Sequence, residues 1–218
     1  ASVAIDSAEG APKAEGAPAG PARPDARVRH VVVDRLNDQE ALVLAQSSLI
    51  RDLVGAGVAE RIVKEAGGNP YFVQELARFA AGRAGLIEPG SMSLESVLVA
   101  RSRELSEDAL RLVHIVAIAG QRISQTVAQS AAGLTGGATR AFAELRAARL
   151  ILTSGRRAHD DVESYHDRVR EALTAELSPA QKAELHSQLA RALDNTVKRG
   201  AEHVYAVARH YYLASSHQ

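Results

Sequence analysis

Helix starts and stops punctuate this sequence from residue 37 to its end, and they leave room only for short helices. Asn37 with Glu40, Asn69 with Pro70, Ser106, and Ser178 with Pro179 each place a capping side chain or a helix-opening proline ahead of an apolar-periodic stretch. Gly67-Gly68 and Gly120 supply left-handed stops. Between these marks the apolar residues recur at helical spacing, as in Phe72, Leu76 and Phe79/Ala80, or Leu110, Val113 and Ala117. The expected helices are 37–49, 58–66, one opening at Pro70, 94–104, one after Ser106, 124–131, 139–149, 167–177, one after Pro179 carrying Leu185, Leu189 and Leu193, and 202–214. In the last helix Val204, Val207, Ala208 and Tyr211 are expected to face inward.

Strand signals are few. Val28–Val33 is a short β-branched run. Residues 150–153 and 162–165, separated by the polar stretch 154–161, read as a hairpin. Three helices followed by a hairpin is the order of a winged helix. The fold class is therefore mainly α: a helical lid bundle, a winged helix with a small β-hairpin, and the start of a helical, TPR-like repeat.

Composition fixes the edges. Sixteen of the first 26 residues are Ala, Gly or Pro, too little apolar surface to offset ordering, so 1–26 reads as a disordered linker. The Gly85, Pro89 and Gly90 stretch reads as a hinge-like loop. The resulting divisions are 27–90 for a core end plus lid, 91–176 for the winged helix and 177–218 for the repeat start. The 26 basic and 26 acidic residues balance, so no global field attracts nucleic acid or an anionic membrane. The absence of Cys removes disulfides, thiolate metal sites and cysteine nucleophiles, and fits a cytoplasmic protein. There is no membrane-length apolar run and no signal peptide. The chain opens on Ala1 rather than Met, as a processed or excised fragment would.

No Gly-x-x-x-x-Gly-Lys-Ser/Thr occurs, so no phosphate-cradling loop is present. No supported nucleophile–base set or carboxylate pair is found, and no catalytic residue is assigned. Asp34, after Val31–Val33, fits a strand leaving a core better than a magnesium-binding aspartate. His159, Asp160 and Asp161 sit in a polar turn and read as a solvated tip rather than a metal site. His203 and His210 read as surface histidines and His114 as a core-edge one. Arg140, Arg146 and Arg149 with Arg156 and Arg157 could form a DNA-reading surface, but Glu144, Asp160, Asp161 and Glu163 interleave with them.

Three stretches, in order, carry a family resemblance. Val31–Ala41 looks like the strand and helix that lead into a lid. Glu60–Leu76, containing Gly68-Asn69-Pro70, closely resembles the lid of the signal-transduction ATPases with numerous domains (the STAND class). Tyr165-His166-Asp167 is similar to the Met-His-Asp motif that closes that family's winged helix, with Tyr165 at the Met position. The match covers about residues 28–214. The resemblance implies ATP or ADP as cofactor, with magnesium supplied by an upstream domain. It also implies Gly68 and Pro70 as the adenine-side motif, the proline offering a rigid apolar face, and His166 as the group that reaches the β-phosphate. The implied function is the regulatory lid and winged-helix part of a nucleotide-switch ATPase. Its parent would be a multidomain serine/threonine kinase or a transcriptional regulator. Implied partners are an upstream P-loop domain of the same polypeptide and a protein bound through the helical repeats, with neither nucleic acid nor membrane. Two alternatives stay open: a DNA-binding winged-helix regulator and a helical protein-interaction scaffold.

Overall fold

A computed structural model describes residues 34–48, 57–82, 92–155, 157, 160–196 and 200–216. The expected linker 1–26, the strand 28–33, the loop residues 84–91, Arg156 and His159 lie outside them. Among the described residues the order is α1 (Asp38–Ser48), α2 (Val58–Ala66), α3 (Pro70–Gly82), α4 (Leu94–Ser102), α5 (Glu107–Ala119), β1 (Ile123–Ser124), α6 (Gln125–Ala131), α7 (Ala138–Ala147), β2 (Ile151–Thr153), β3 (Asp161–Ser164), α8 (Asp167–Ala175), α9 (Pro179–Asp194) and α10 (Ala201–Ser216).

The capping chemistry forms as read. Asn37 Oδ1 accepts the Glu40 N–H and Glu40 Oε2 accepts the Asn37 N–H, both at 2.9 Å. This reciprocal box satisfies two donors that a helix start otherwise leaves bare. Helix α2 stops on Gly67 (φ 55) and Gly68 (φ 76). Asn69 Oδ1 then accepts the Tyr71 N–H at 3.0 Å and opens α3. The helices α1, α2 and α3 pack together over Ala41, Ala45, Ile62, Phe72 and Leu76.

Helices α5, α6 and α7 pack with a three-stranded antiparallel sheet of order β1-β3-β2. The hairpin pairs Ile151 with Ser164 and Thr153 with Val162. Strand β1 was not expected. Its two residues pair with β3, Ile123 opposite Val162 and Ser124 opposite Asp161, and Ser124 then caps α6. Two residues are too few for an alternating pattern, so only the partner strand makes them a strand.

Helices α9 and α10 form a helical hairpin, of which α9 packs on α5 and α6. The inward face expected for α10 is corrected. Val204 and Tyr211 are exposed, as is Ala208, while Ala206, His210 and Ala214 are buried and Val207 is half-buried. His210 is not a surface histidine: it is 0% exposed, and its Nδ1 lies 2.9 Å from Nδ1 of buried His186 on α9. No described helix is long and apolar enough to cross a membrane.

Candidate functional site

The stretches that carry Pro70 and His166 meet. Pro70 is exposed at the first position of α3, and the two residues after it, Tyr71 and Phe72, turn into the body of the protein. They meet the end of β3 and the start of α8. The Phe72 and His166 rings are 4.8 Å apart at 69°, an edge-on contact, and the Tyr71 and Tyr165 rings are 4.6 Å apart. Offset and edge arrangements suit the ring quadrupoles. Tyr165, at the position where the resemblance would place Met, thus has a partner in Tyr71.

His166 is half-exposed and is the N-cap of α8. Its Nδ1 accepts the Arg168 N–H at 3.2 Å. With Nδ1 accepting, the neutral ring carries its proton on Nε2, which makes Nε2 a hydrogen-bond donor.

Arg168 holds the junction closed from the other side. Its guanidinium donates to the Glu65 carbonyl at 2.9 Å and to Glu95 Oε1 at 2.9 Å, with its central carbon 5.8 Å from the Phe72 ring centre. The first bond satisfies a carbonyl in the last turn of α2, where a cation suits the helix dipole. The Glu95 carboxyl is held below its ordinary range by its own backbone N–H first and by Arg168 second. Tyr71 donates its hydroxyl to the Arg149 carbonyl at 3.0 Å. Burial raises its pKa, against the opposing pull of Arg101.

Gly68 has a packing role. A Cβ there would meet the Leu36 carbonyl oxygen at 2.5 Å and the Arg35 Cβ at 3.1 Å. The Gly68 carbonyl also accepts the Leu36 N–H at 2.9 Å. The segment before α1 therefore runs directly against the glycine turn. Gly67 has nothing within 4 Å of such a Cβ. Gly68→Ala is expected to lower stability by about 2 kcal/mol or more, and Gly67→Ala by about 1 kcal/mol from the left-handed backbone alone. Thermal unfolding of the two variants checks this; equal losses would remove the packing role.

Of the arginines singled out on the sequence, Arg146 lines the space between α6 and α7. The Arg149 guanidinium sits 5.9 Å over the Tyr71 ring, turned to the α3 side. Glu144 is engaged by Ser106, whose N–H and hydroxyl donate to it at 2.7 and 2.6 Å, and these bonds lower its pKa. Asp160 accepts the Arg157 N–H at 2.6 Å within its turn. Among the described residues no group of three His, Asp or Glu could hold a metal ion. His114 is half-buried, and burial lowers its pKa. Met92, expected at the end of the loop, is buried, and its carbonyl accepts from Arg61 Nε at 3.3 Å.

Sequence reasoning missed Glu75. It is 2% exposed on α3, pairs with Arg101 of α4 and bonds Arg78 at 2.7 Å. Two clefts lie away from Pro70 and His166. One of about 620 Å³ runs between α6 and α7, and one of about 1240 Å³ separates β1 and α6 from the start of α10.

By its elements this is a mainly helical protein with one small antiparallel sheet. No protein-family model matches the chain, and neither a curated protein nor a solved structure was found to match it.

Proposed function

We propose that the chain is the regulatory lid and winged-helix part of a nucleotide-switch signalling ATPase, and that the junction of α3 with α8 is the surface it presents to ADP or ATP. The observation that carries this reading is the edge contact between Phe72 and His166. It joins the segment that opens at the exposed Pro70 to the one capped by half-exposed His166, whose Nδ1 accepts the Arg168 N–H and leaves Nε2 as the donor. A rigid apolar proline suits the face of an adenine, and an N–H donor suits a phosphate oxygen. Three helices with a sheet of order β1-β3-β2 support the winged-helix part of the reading, and the α9–α10 hairpin supports a helical-repeat start.

In this reading the phosphates are cradled by an upstream P-loop domain, which also brings the magnesium. The chain then closes over the nucleotide and reports its state. Such a switch needs two arrangements with different nucleotide contacts. The ring contacts tie α3 to the segment that opens α8, and Arg168 ties α8 to α2 and α4, so these elements would move as one body against the phosphate-binding domain.

The chain by itself is then expected neither to hydrolyse ATP nor to bind it at micromolar affinity, because phosphate contacts supply most of a nucleotide's binding energy. Calorimetry with ATP and magnesium on the full chain tests this. Micromolar binding or turnover would overturn it. A DNA duplex shifted in a gel at both low and high salt would instead favour the DNA-binding alternative.

A further inference from the structure

Helix α10 rests on α9 through a face with little apolar surface. Its buried residues are Ala206, His210 and Ala214, with Val207 and Leu213 half-buried. His210 is the largest of the three buried side chains and is 0% exposed. Two alanines bury little area, so the seating of α10 depends on how His210 is accommodated. Helix α9 is held differently. It packs on α5 and α6 as well as on α10, and its Leu189 and Leu193 belong to the core.

His210 meets His186, which is 6% exposed on α9. Their Nδ1 atoms lie 2.9 Å apart and their ring centres 5.1 Å. The gap between the Nδ1 atoms holds one proton, since two would set N–H against N–H. A neutral pair satisfies this with its second proton on the Nε2 of His186. A pair with one proton more does not. One proton lies in the gap, so the other two must occupy both Nε2 atoms. The Nε2 of His210 is buried and has no partner among the described residues. Charging the pair therefore buries a cation and leaves a bare donor, whichever ring takes the proton.

The neighbouring charges do not relieve this. Arg209 adds a positive charge to the one His186 would carry. Helix α6 carries no titratable residue. On α5, Asp108 and Arg111 pair with each other and Glu107 is exposed, while His114 is itself held neutral by burial. On α9, Glu184 is exposed and bonded to Gln188. On α10, Glu202 and His203 line the cleft toward β1.

We propose that the His186–His210 contact is a pH-operated latch, which holds α10 on α9 while neutral and releases α10 when it takes up a proton. The released helix, 16 residues long, is marginal in water by itself, whereas α9 stays on α5 and α6. Release removes the α10 wall of the large cleft, formed by Tyr205, Ala206 and Arg209, and lays open Leu193. Above pH 6.5, the ordinary value for His210, the latch is closed. Below it the released helix binds the proton first, and the ratio of released to docked helix rises up to about tenfold per pH unit. The rise ends where the docked pair also charges, at about 4.

Hydrogen exchange of the full chain, corrected for the intrinsic rate at each pH, reads the release directly. Between about pH 7.5 and 4.5, protection of the α10 amides is expected to fall at least about tenfold more than that of α9 and α5. The ring signals of His186 and His210 should titrate with the same midpoint as this fall. In His210→Gln, which keeps a hydrogen-bonding group that cannot charge, α10 protection should change less than about threefold over the same range. The proposal is overturned if α10 stays protected at pH 4.5, or if α9 and α10 lose protection in step. A fall that does not follow the titration of the two rings, or that persists undiminished in His210→Gln, overturns it as well.

Discussion

Arg101→Met is expected to lower the stability of the folded chain by about 3 kcal/mol, because it strands a buried carboxylate. Glu75 is 2% exposed in the middle of α3, and Arg101 from α4 is in direct contact with it. Its other partner, Arg78, is itself 62% exposed and bonds only one carboxylate oxygen, so water screens it and it cannot replace Arg101. The buried pair adds little over a well-packed apolar pair, but half of it is costly. The double variant Glu75→Leu with Arg101→Met is therefore expected to recover most of the loss. Urea unfolding of the single and double variants measures both. A single-variant loss under 1 kcal/mol, or a double variant no better than the single one, would contradict this account of the pair. The Arg101 charge also opposes the burial that raises the Tyr71 pKa, so the loss should extend to the Tyr71–Tyr165 contact.

The second large effect is loss of stability in acid. His186 and His210 bring their Nδ1 atoms to 2.9 Å inside the α9–α10 hairpin. At that distance only one of the two nitrogens can carry a proton. Burial first, then the positive charge of His186 and of Arg209, pulls His210 from 6.5 down to about 4. Helix α6, packed against α9, carries no titratable residue. Among the described residues no further proton acceptor is found for the His210 Nε2. The unfolded chain binds a proton at this histidine below about pH 6.5, whereas the folded chain does so only below about 4. Stability therefore falls as pH drops through that window and stays low beneath it. The difference is about 3 kcal/mol. Carboxylates with lowered pKa, such as Glu95 and Glu144, lose their contribution further into acid. Unfolding measured at pH 7.5 and 4.5 for the chain and for His186→Leu with His210→Leu isolates the pair. The natural chain should lose about 2–3 kcal/mol more than the variant. Parallel losses would contradict the assignment.

Much of the fold was legible because its signals are local. The box of Asn37 and Glu40, the stop at Gly67-Gly68 and the restart at Asn69-Pro70 need only neighbouring residues, and α2 spans 58–66 as read. What failed depends on partners far away in sequence. Strand β1 exists because β3 pairs with it. Glu75 looks like a solvent-facing residue until Arg101 arrives from α4. Helix α10 shows hydropathy on both faces, so periodicity could not choose between them. The choice fell to Val204 and Tyr211, whereas the structure chooses His210, because His186 supplies the partner that lets a histidine be buried. Pro70 and His166 could be singled out by motif alone, but the Phe72 ring that brings their segments together was read only as core.

The central claim is that the α3–α8 junction is a nucleotide-facing surface, and resonance-assigned spectra of the full chain titrated with ADP test it most directly. Without phosphate-cradling contacts the binding should be weak, with Kd on the order of millimolar. It should still be localised, with shifts at residues 69–72 and 165–168 and at the His166 ring, little change in α9 and α10, and loss of these shifts in His166→Ala. Shifts that fall on α7 or α10, that persist unchanged in His166→Ala, or that are absent at several millimolar ADP would contradict it.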